Sequence, residues 1–92
     1  MRLYHGTTAQ AAEQIRQQGE IEAGRYFGGI VGVALTPRRD VAAEFAGEGG
    51  VVFAVDVDTQ NLVVDPESVD HDDVARALDE QSSVYALGNV RI

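Results

Sequence analysis

Residues 51–58 constrain the fold of this chain more than any other stretch of its sequence. Every odd position from 51 to 57 is apolar, whereas the even positions end in Asp56 and Asp58. Successive side chains of a strand point to opposite faces of a sheet. The pattern therefore predicts a strand with one face on a hydrophobic core and the other face in water toward its end.

A first helix is predicted directly after a short strand at residues 2–5. Thr7, with Gln10 three residues later, fits a capping box at the start of this helix. Gly19 fits the left-handed C-cap that ends many helices. Residues 20–31 are rich in glycine and predict a loop, with room for a short strand.

Two further helices are predicted, one from a proline at its start and one from an acidic residue at its start. Pro37 is expected at the first position of the second helix, where its missing N–H costs nothing. The apolar stripe of this helix is expected to comprise Val41, Ala42, Phe45 and Ala46. Asp70 is expected to cap a third helix, whose apolar positions are Val74, Ala75 and Leu78.

The remaining strands are predicted at residues 31–35, at residues 62–64 and, as one strand or a pair, at residues 83–92. The resulting order is β-α-β-α-β-β-α-β. This order predicts an α+β fold around a small mixed or split sheet. Because 92 residues leave no room for two cores, residues 1–92 are expected to form a single domain.

The formal net charge of −8 comes wholly from the segment 56–80, called here the acidic segment. It holds nine acids and a single arginine, whereas six acids and six arginines cancel elsewhere. The nine acids are Asp56, Asp58, Asp65, Glu67, Asp70, Asp72, Asp73, Asp79 and Glu80. Such a face repels nucleic-acid backbones and attracts basic protein surfaces. We therefore expect no direct nucleic-acid binding, and a macromolecular protein as partner.

Composition predicts a soluble, intracellular protein, and we expect it in the cytoplasm of a bacterial or archaeal host. The chain has no cysteine, no signal-peptide core at its start, and no apolar run near the roughly 20 residues that cross a bilayer. No membrane association is therefore expected. His71 lies among acids, but no second histidine is near it in the sequence, so no metal site is expected.

The stretch at residues 3–8, Leu-Tyr-His-Gly-Thr-Thr, leads from an apolar strand through a His–Gly pair into a helix. Glycine lets a ligand come close to the main chain, and a histidine at a strand end can point into a cleft. This stretch resembles the first motif of the ADP-ribosyltransferase fold, in its His-type branch. Residues 32–36, 40–46, 52–58 and 84–92 are similar, in the same order, to the elements that follow in that family.

The resemblance implies NAD as the cofactor and assigns roles to three adjacent residues. His5 would hold a ribose of NAD, and the backbone of Gly6 would hold the nicotinamide amide, with Thr7 beside them. The family's aromatic residue, which stacks on nicotinamide, would fall at Ala34. Tyr26 or Phe27 of the glycine-rich loop is the expected substitute.

The resemblance also implies a glutamate that steadies the positive charge of the transition state. Glu80 and Gln81 are the two candidates at the start of the last strand. The spacing to Tyr85 favours Gln81, which carries no charge. His5, Glu80 and Gln81 are thus the expected catalytic residues.

Three functions remain open from the sequence. The first is a small NAD-dependent ADP-ribosyltransferase-like effector that modifies a protein target, of toxin or phage origin. The second is a catalytically inactive acidic inhibitor, similar in character to anti-CRISPR proteins, whose acidic segment imitates a nucleic acid and blocks a basic groove. The third is a structural or assembly protein with a solvated acidic helix.

Overall fold

Strands and short helices succeed one another along the chain, divided by its glycines and polar caps. The structure is a computed structural model and describes residues 1–25, 29–64, 73–79 and 83–92. Its elements are β1 (Arg2–Thr7), α1 (Ala9–Gln18), β2 (Glu20–Ile21), β3 (Gly24–Arg25), β4 (Val31–Leu35), α2 (Arg39–Ala46), β5 (Val51–Asp56), a 3₁₀ helix (Thr59–Asn61), β6 (Leu62–Val64), α3 (Val74–Asp79), β7 (Val84–Leu87) and β8 (Val90–Arg91). These elements form a small α+β fold.

β5 is the strand that the alternation over residues 51–58 predicts, although it ends at Asp56 rather than Asp58. It pairs antiparallel with β1, which places Leu3 opposite Val55. Leu3 and Val55 are buried, whereas Ala54 and Asp56 are exposed. The prediction of one core face and one wet face is therefore confirmed.

The strands form three antiparallel groups rather than one sheet. β1 pairs with β5, β2 pairs with β8, and β3, β4, β7 and β6 form a four-stranded sheet in that order. All pairings between described strands are antiparallel, so of the two predicted arrangements the structure has the split sheet and not the mixed one. The final segment forms a pair of strands, and the glycine-rich loop contains the two short strands β2 and β3.

The core lies where these groups face one another. Its largest fully buried side chains are Leu3, Val33, Leu35 and Val84. Val33 and Leu35 of β4 pair with Ala86 and Val84 of β7. Because alternate residues of a strand share a face, Ala34 of β4 and Tyr85 of β7, which lie between these residues, point away from this core.

α1 begins one residue later than the sequence predicts. Thr8, not Thr7, is the N-cap, and its hydroxyl accepts a hydrogen bond from the Ala11 N–H at 3.2 Å. The predicted capping box of Thr7 and Gln10 is therefore wrong, because Thr7 still belongs to β1. Gly19 ends the helix at a φ of 78°, as predicted.

α2 begins at Arg39, so Pro37 precedes the helix and is not its first residue. Ala42 and Ala46 are buried, but Phe45 is 72% exposed. The prediction that Phe45 belongs to the apolar stripe is wrong, because the buried face of α2 is the alanine face that contacts β1 and β5.

α3 begins at Val74. The carboxylate of Asp73 accepts the Arg76 N–H at 2.7 Å, which is the N-cap interaction expected of Asp70. Asp70 itself lies outside the described residues. Ala77 is the buried residue of this helix, whereas Ala75, which the sequence placed on the apolar side, is exposed. Within the described residues, no helix is long and apolar enough to span a membrane.

Candidate functional site

β1 and β4 run side by side but are joined, within the described residues, by one bridge. The Tyr4 N–H donates to the Thr36 carbonyl oxygen at 2.8 Å, and the Thr36 N–H donates to the Tyr4 carbonyl oxygen at 3.0 Å. At the next residue of β1, the side chain of His5 spans the gap, with Nδ1 2.8 Å from the carbonyl oxygen of Ala34. The two strands therefore diverge at His5, and clefts open beside it.

The protonation of the His5 ring follows from this contact. A carbonyl oxygen only accepts hydrogen bonds, so Nδ1 carries a proton. Nε2 makes no hydrogen bond within the described residues. The ring is half-buried. His5 is thus held against β4 through Nδ1.

One cleft, called here the aromatic cavity, has a volume of about 430 Å³. Aromatic residues of β1, α2 and β7 border it. Its lining includes Tyr4, His5, Ala34, Phe45, Ser83 and Tyr85. Ligand sites of small molecules are typically cavities of roughly 300–1,000 Å³ with apolar walls and a few polar groups. The aromatic cavity meets this description.

A second cleft, called here the polar cavity, has a volume of about 310 Å³. Its polar lining comprises His5, Thr7, Gln14, Gln18 and Glu22. His5 and Gly6 line both cavities. The two cavities are therefore neighbours, with this part of β1 between them.

Gly6 holds α2 against β1. A Cβ added at residue 6 would lie 1.8 Å from the Ala42 carbonyl oxygen and 2.9 Å from the Ala46 nitrogen. Both are main-chain atoms of a helix and have little freedom to move away. Glycine at this position is therefore required by packing, which is sufficient to explain it without a ligand.

Phe45 stands at the rim of the aromatic cavity. Its side chain is 72% exposed and yet lines the cavity together with Ala42. A large exposed aromatic ring beside an apolar cleft gains burial when a ligand enters the cleft. The sequence pattern missed the position of Phe45 at the cavity because it assigned this residue to the core.

Tyr85 was likewise not identified as a site residue from the sequence. It lies directly opposite Ala34 in the pairing of β4 with β7, and it is half-buried at the cavity. The alternation Val84, Tyr85, Ala86 shows which way the ring points once the strand is known. Nothing in the sequence gives the register that brings it beside Ala34.

The expected NAD-site residues are only partly within the described structure. His5 and Gly6 line both cavities, and Thr7 lines the polar cavity. Tyr26, Phe27, Glu80 and Gln81 lie outside the described residues, so their assignments remain predictions.

The acidic segment contributes four described acids, all exposed: Asp56, Asp58, Asp73 and Asp79. Asp56 lies 3.9 Å from the Arg2 guanidinium, and Asp58 accepts the Gln60 N–H at 3.0 Å. Asp73 caps α3. Asp65, Glu67, Asp70, Asp72 and Glu80 lie outside the described residues. Three of the described acids therefore have local structural contacts as well as charge.

Two arginines lie near the start of α2, close to the aromatic cavity. The Arg38 guanidinium donates to the Asp40 carboxylate at 2.6 and 3.1 Å, and this hydrogen bonding holds the pKa of Asp40 below its usual range. The Arg39 guanidinium lies 6.0 Å from the ring centroid of Tyr4. Arg39 is thus the cation nearest to a ring of the cavity in the described contacts.

No group of three or more histidine, cysteine or carboxylate residues in the described ranges is placed to hold a metal ion. Comparisons of the chain with protein-family models, with curated proteins and with solved structures find no match. The two cavities and the residues between them are therefore the basis for a functional proposal.

Proposed function

We propose that the chain binds NAD across the aromatic and polar cavities and acts as a small ADP-ribosyltransferase-like effector on a protein target. The observation that carries this proposal is the position of His5. This residue lines both cavities, and its Nδ1 is held by the Ala34 carbonyl oxygen, so Nε2 is the nitrogen that we expect to meet a ligand. A dinucleotide has two ring systems joined by ribose and phosphate groups, which matches two cavities joined at one polar residue.

The aromatic cavity suits the nicotinamide end of this ligand. Its rings offer flat apolar surfaces, and flat aromatic groups stack favourably on such surfaces. The backbone of Gly6 lies at its edge, where main-chain polar groups can meet the amide of the ligand. Phe45 would be covered by a bound ring, which offsets the cost of its exposure in the free protein.

The polar cavity suits the other end of the dinucleotide. Gln14 and Gln18 lie one helical turn apart on α1 and line the same cavity. Their amides donate and accept hydrogen bonds, as recognition of an adenine or a ribose hydroxyl requires. Glu22 in the same lining favours hydroxyl groups over an additional phosphate, because like charges repel.

The chemistry proposed for this site is cleavage of the bond between nicotinamide and ribose, with transfer of ADP-ribose to a protein. NAD supplies the electrophilic carbon and the leaving group. Nε2 of His5 would accept a hydrogen bond from a ribose hydroxyl and so hold the sugar in place. The group at residue 80 or 81 would orient the acceptor and steady the developing positive charge, a task that a carboxylate performs better than an amide.

The test is an NAD titration by calorimetry on the wild type, on His5→Ala and on His5→Asn. Saturable binding that is weakened at least tenfold in both variants is expected, since neither retains Nε2. Absence of binding to the wild type at millimolar NAD would overturn the proposal. Transfer is then tested with labelled NAD in a bacterial lysate, in which wild type should label proteins and His5→Ala should not.

The exposed carboxylates of the acidic segment favour a second candidate, an inhibitor that occupies a basic groove of a nucleic-acid-binding protein. Changing Asp70, Asp72 and Asp73 to Asn removes three charges, and Asn at residue 73 still caps α3. The matched control changes the exposed residues Glu13, Glu44 and Glu48 to Gln. Salt-sensitive binding to immobilised oligo-arginine should fall with the first triple change only. Equal losses in both triple variants would contradict a specific acidic face.

A further inference from the structure

We propose that Tyr85 of β7 is the aromatic platform for the nicotinamide ring in this chain, in place of the residue on β4 where Ala34 stands. This inference rests on the NAD binding proposed above. It assigns a positioning residue for the ligand's reactive ring, on a strand that the family resemblance does not assign to this task.

The pairing of β4 with β7 places the two residues side by side. Ala34 is the antiparallel partner of Tyr85, with Val33 opposite Ala86 and Leu35 opposite Val84. The flanking residues are all buried in the core. Ala34 and Tyr85 therefore share the other face of the sheet, where directly opposed Cβ atoms lie about 4.5–5.5 Å apart.

Ala34 leaves space that the tyrosine ring borders. Its side chain is a single methyl group, and both residues line the aromatic cavity. A large side chain at residue 34 would fill this part of the cleft, so a ring at residue 85 and a ring at residue 34 are alternatives. Ala34 on β4 thus leaves space for a ligand ring, and Tyr85 on β7 provides the flat surface on which that ring can stack.

The other two rings of the cavity are less suited to this position. Tyr4 lies on β1, which is outside the four-stranded sheet, and Phe45 is 72% exposed at the rim. Tyr85 belongs to the four-stranded sheet, whereas Phe45 reaches the cavity from α2. A flat ligand ring in the cleft therefore has Tyr85 on its sheet side and Phe45 on its helix side.

The charge of the ligand gives this arrangement a distinctive signature. The nicotinamide ring of NAD⁺ is a cation, and a cation over an aromatic face gains electrostatic attraction. NADH has a neutral ring, and ADP-ribose has no such ring. A stacking role for Tyr85 therefore predicts that its loss weakens NAD⁺ binding more than NADH binding, and leaves ADP-ribose binding nearly unchanged.

The experiment measures dissociation constants of NAD⁺, NADH and ADP-ribose by calorimetry for four proteins: the wild type, Tyr85→Leu, Tyr85→Phe, and the double variant Ala34→Tyr with Tyr85→Ala. Tyr85→Leu keeps the apolar bulk and removes the flat ring. We expect it to weaken NAD⁺ binding about tenfold and ADP-ribose binding less than twofold. Tyr85→Phe should resemble the wild type, and the double variant should recover most of the lost affinity because it returns a ring to β4.

Leu87→Ala is the matched control, because Leu87 shares the face of Tyr85, is 52% exposed and is not part of the aromatic cavity. It should change none of the three affinities. Equal weakening of NAD⁺ and ADP-ribose by Tyr85→Leu would mean a merely structural role and overturn the inference. NAD⁺ binding that depends on His5 but not on Tyr85 would overturn it while the proposed function stands. If the wild type binds neither NAD⁺ nor ADP-ribose at concentrations up to millimolar, both the inference and the proposed function are overturned.

Discussion

Nδ1 of His5 lies 2.8 Å from the carbonyl oxygen of Ala34, so a side chain takes the place of a main-chain hydrogen bond where β1 leaves β4. The strands are joined by main-chain bonds one residue earlier, between Tyr4 and Thr36. The two nitrogens of His5 therefore differ: Nδ1 is bonded to the main chain of β4, and Nε2 is the nitrogen to which the proposed function assigns the ligand.

Substitutions at His5 should separate these two tasks. The amide nitrogen of Asn lies near the position of Nδ1, so His5→Asn should keep the bond to Ala34 and most of the stability. His5→Ala should lose about 1 kcal/mol of unfolding free energy, as for one hydrogen bond. Urea denaturation measures the unfolding free energy of both variants. If His5→Asn loses as much unfolding free energy as His5→Ala, the hydrogen bond from Nδ1 to the Ala34 carbonyl oxygen is not what stabilises this position.

Gly6→Ala should destabilise the protein by about 3 kcal/mol or more, because the new methyl group overlaps the Ala42 carbonyl oxygen. Gly49→Ala is the control: Gly49 has a φ of 75° but open space around its Cβ position. Its cost should be limited to the backbone conformation, roughly 1 kcal/mol. Thermal unfolding of both variants compares the two costs, and equal melting temperatures would refute the close approach of β1 and α2.

Thr8→Ala should remove about 1 kcal/mol of stability through loss of the α1 cap. Thr7→Ala tests the neighbouring threonine, which belongs to β1 and makes no capping bond. Its effect on α1 should be smaller, as read from far-ultraviolet circular dichroism during denaturation. A larger effect of Thr7→Ala would restore the capping box that the sequence alone predicts.

Phe45→Ala should change the unfolding free energy by less than about 0.5 kcal/mol, because its side chain is 72% exposed. The same change at a buried phenylalanine costs about 3–5 kcal/mol. NAD affinity should fall about threefold to tenfold, as expected for one lost aromatic contact. A large loss of stability would mean that the ring is packed in the core after all.

Gln81→Glu should raise the rate of NAD cleavage by about 10- to 100-fold, because a carboxylate stabilises positive charge that an amide does not. The spacing of Gln81 to Tyr85 motivates this change. Nicotinamide release is the measurement, and Glu80→Gln is the control. A strong loss of activity in Glu80→Gln, with no gain in Gln81→Glu, would assign the catalytic role to Glu80.

Local sequence signals predict the elements that depend on near neighbours. The alternation over residues 51–58 predicted β5, and Gly19 ends α1 as expected. Thr7 and Thr8 are chemically equivalent caps, so only the length of β1 decides between them. That length is set by pairing with β5, which is a long-range interaction.

The misassignment of Phe45 has a related cause. In α2, Val41, Ala42, Phe45 and Ala46 form two adjacent stripes, and helical periodicity does not say which stripe is buried. The close approach permitted by Gly6 selects the alanine side, because small residues let the helix come near β1. The contact between Ala34 and Tyr85 depends in the same way on a strand register that no local pattern contains.

Because packing against α2 excludes any Cβ at residue 6, natural selection for folding alone keeps glycine there, whatever the cavities bind. In divergent descendants of this chain, Gly6 would thus persist in binders and non-binders alike. Ala34 and Tyr85 are not constrained in this way by a main-chain clash. A lineage under selection for ligand binding should show paired exchange of small and aromatic residues at positions 34 and 85. A lineage without that selection should accept other residues at position 85 while it keeps Gly6.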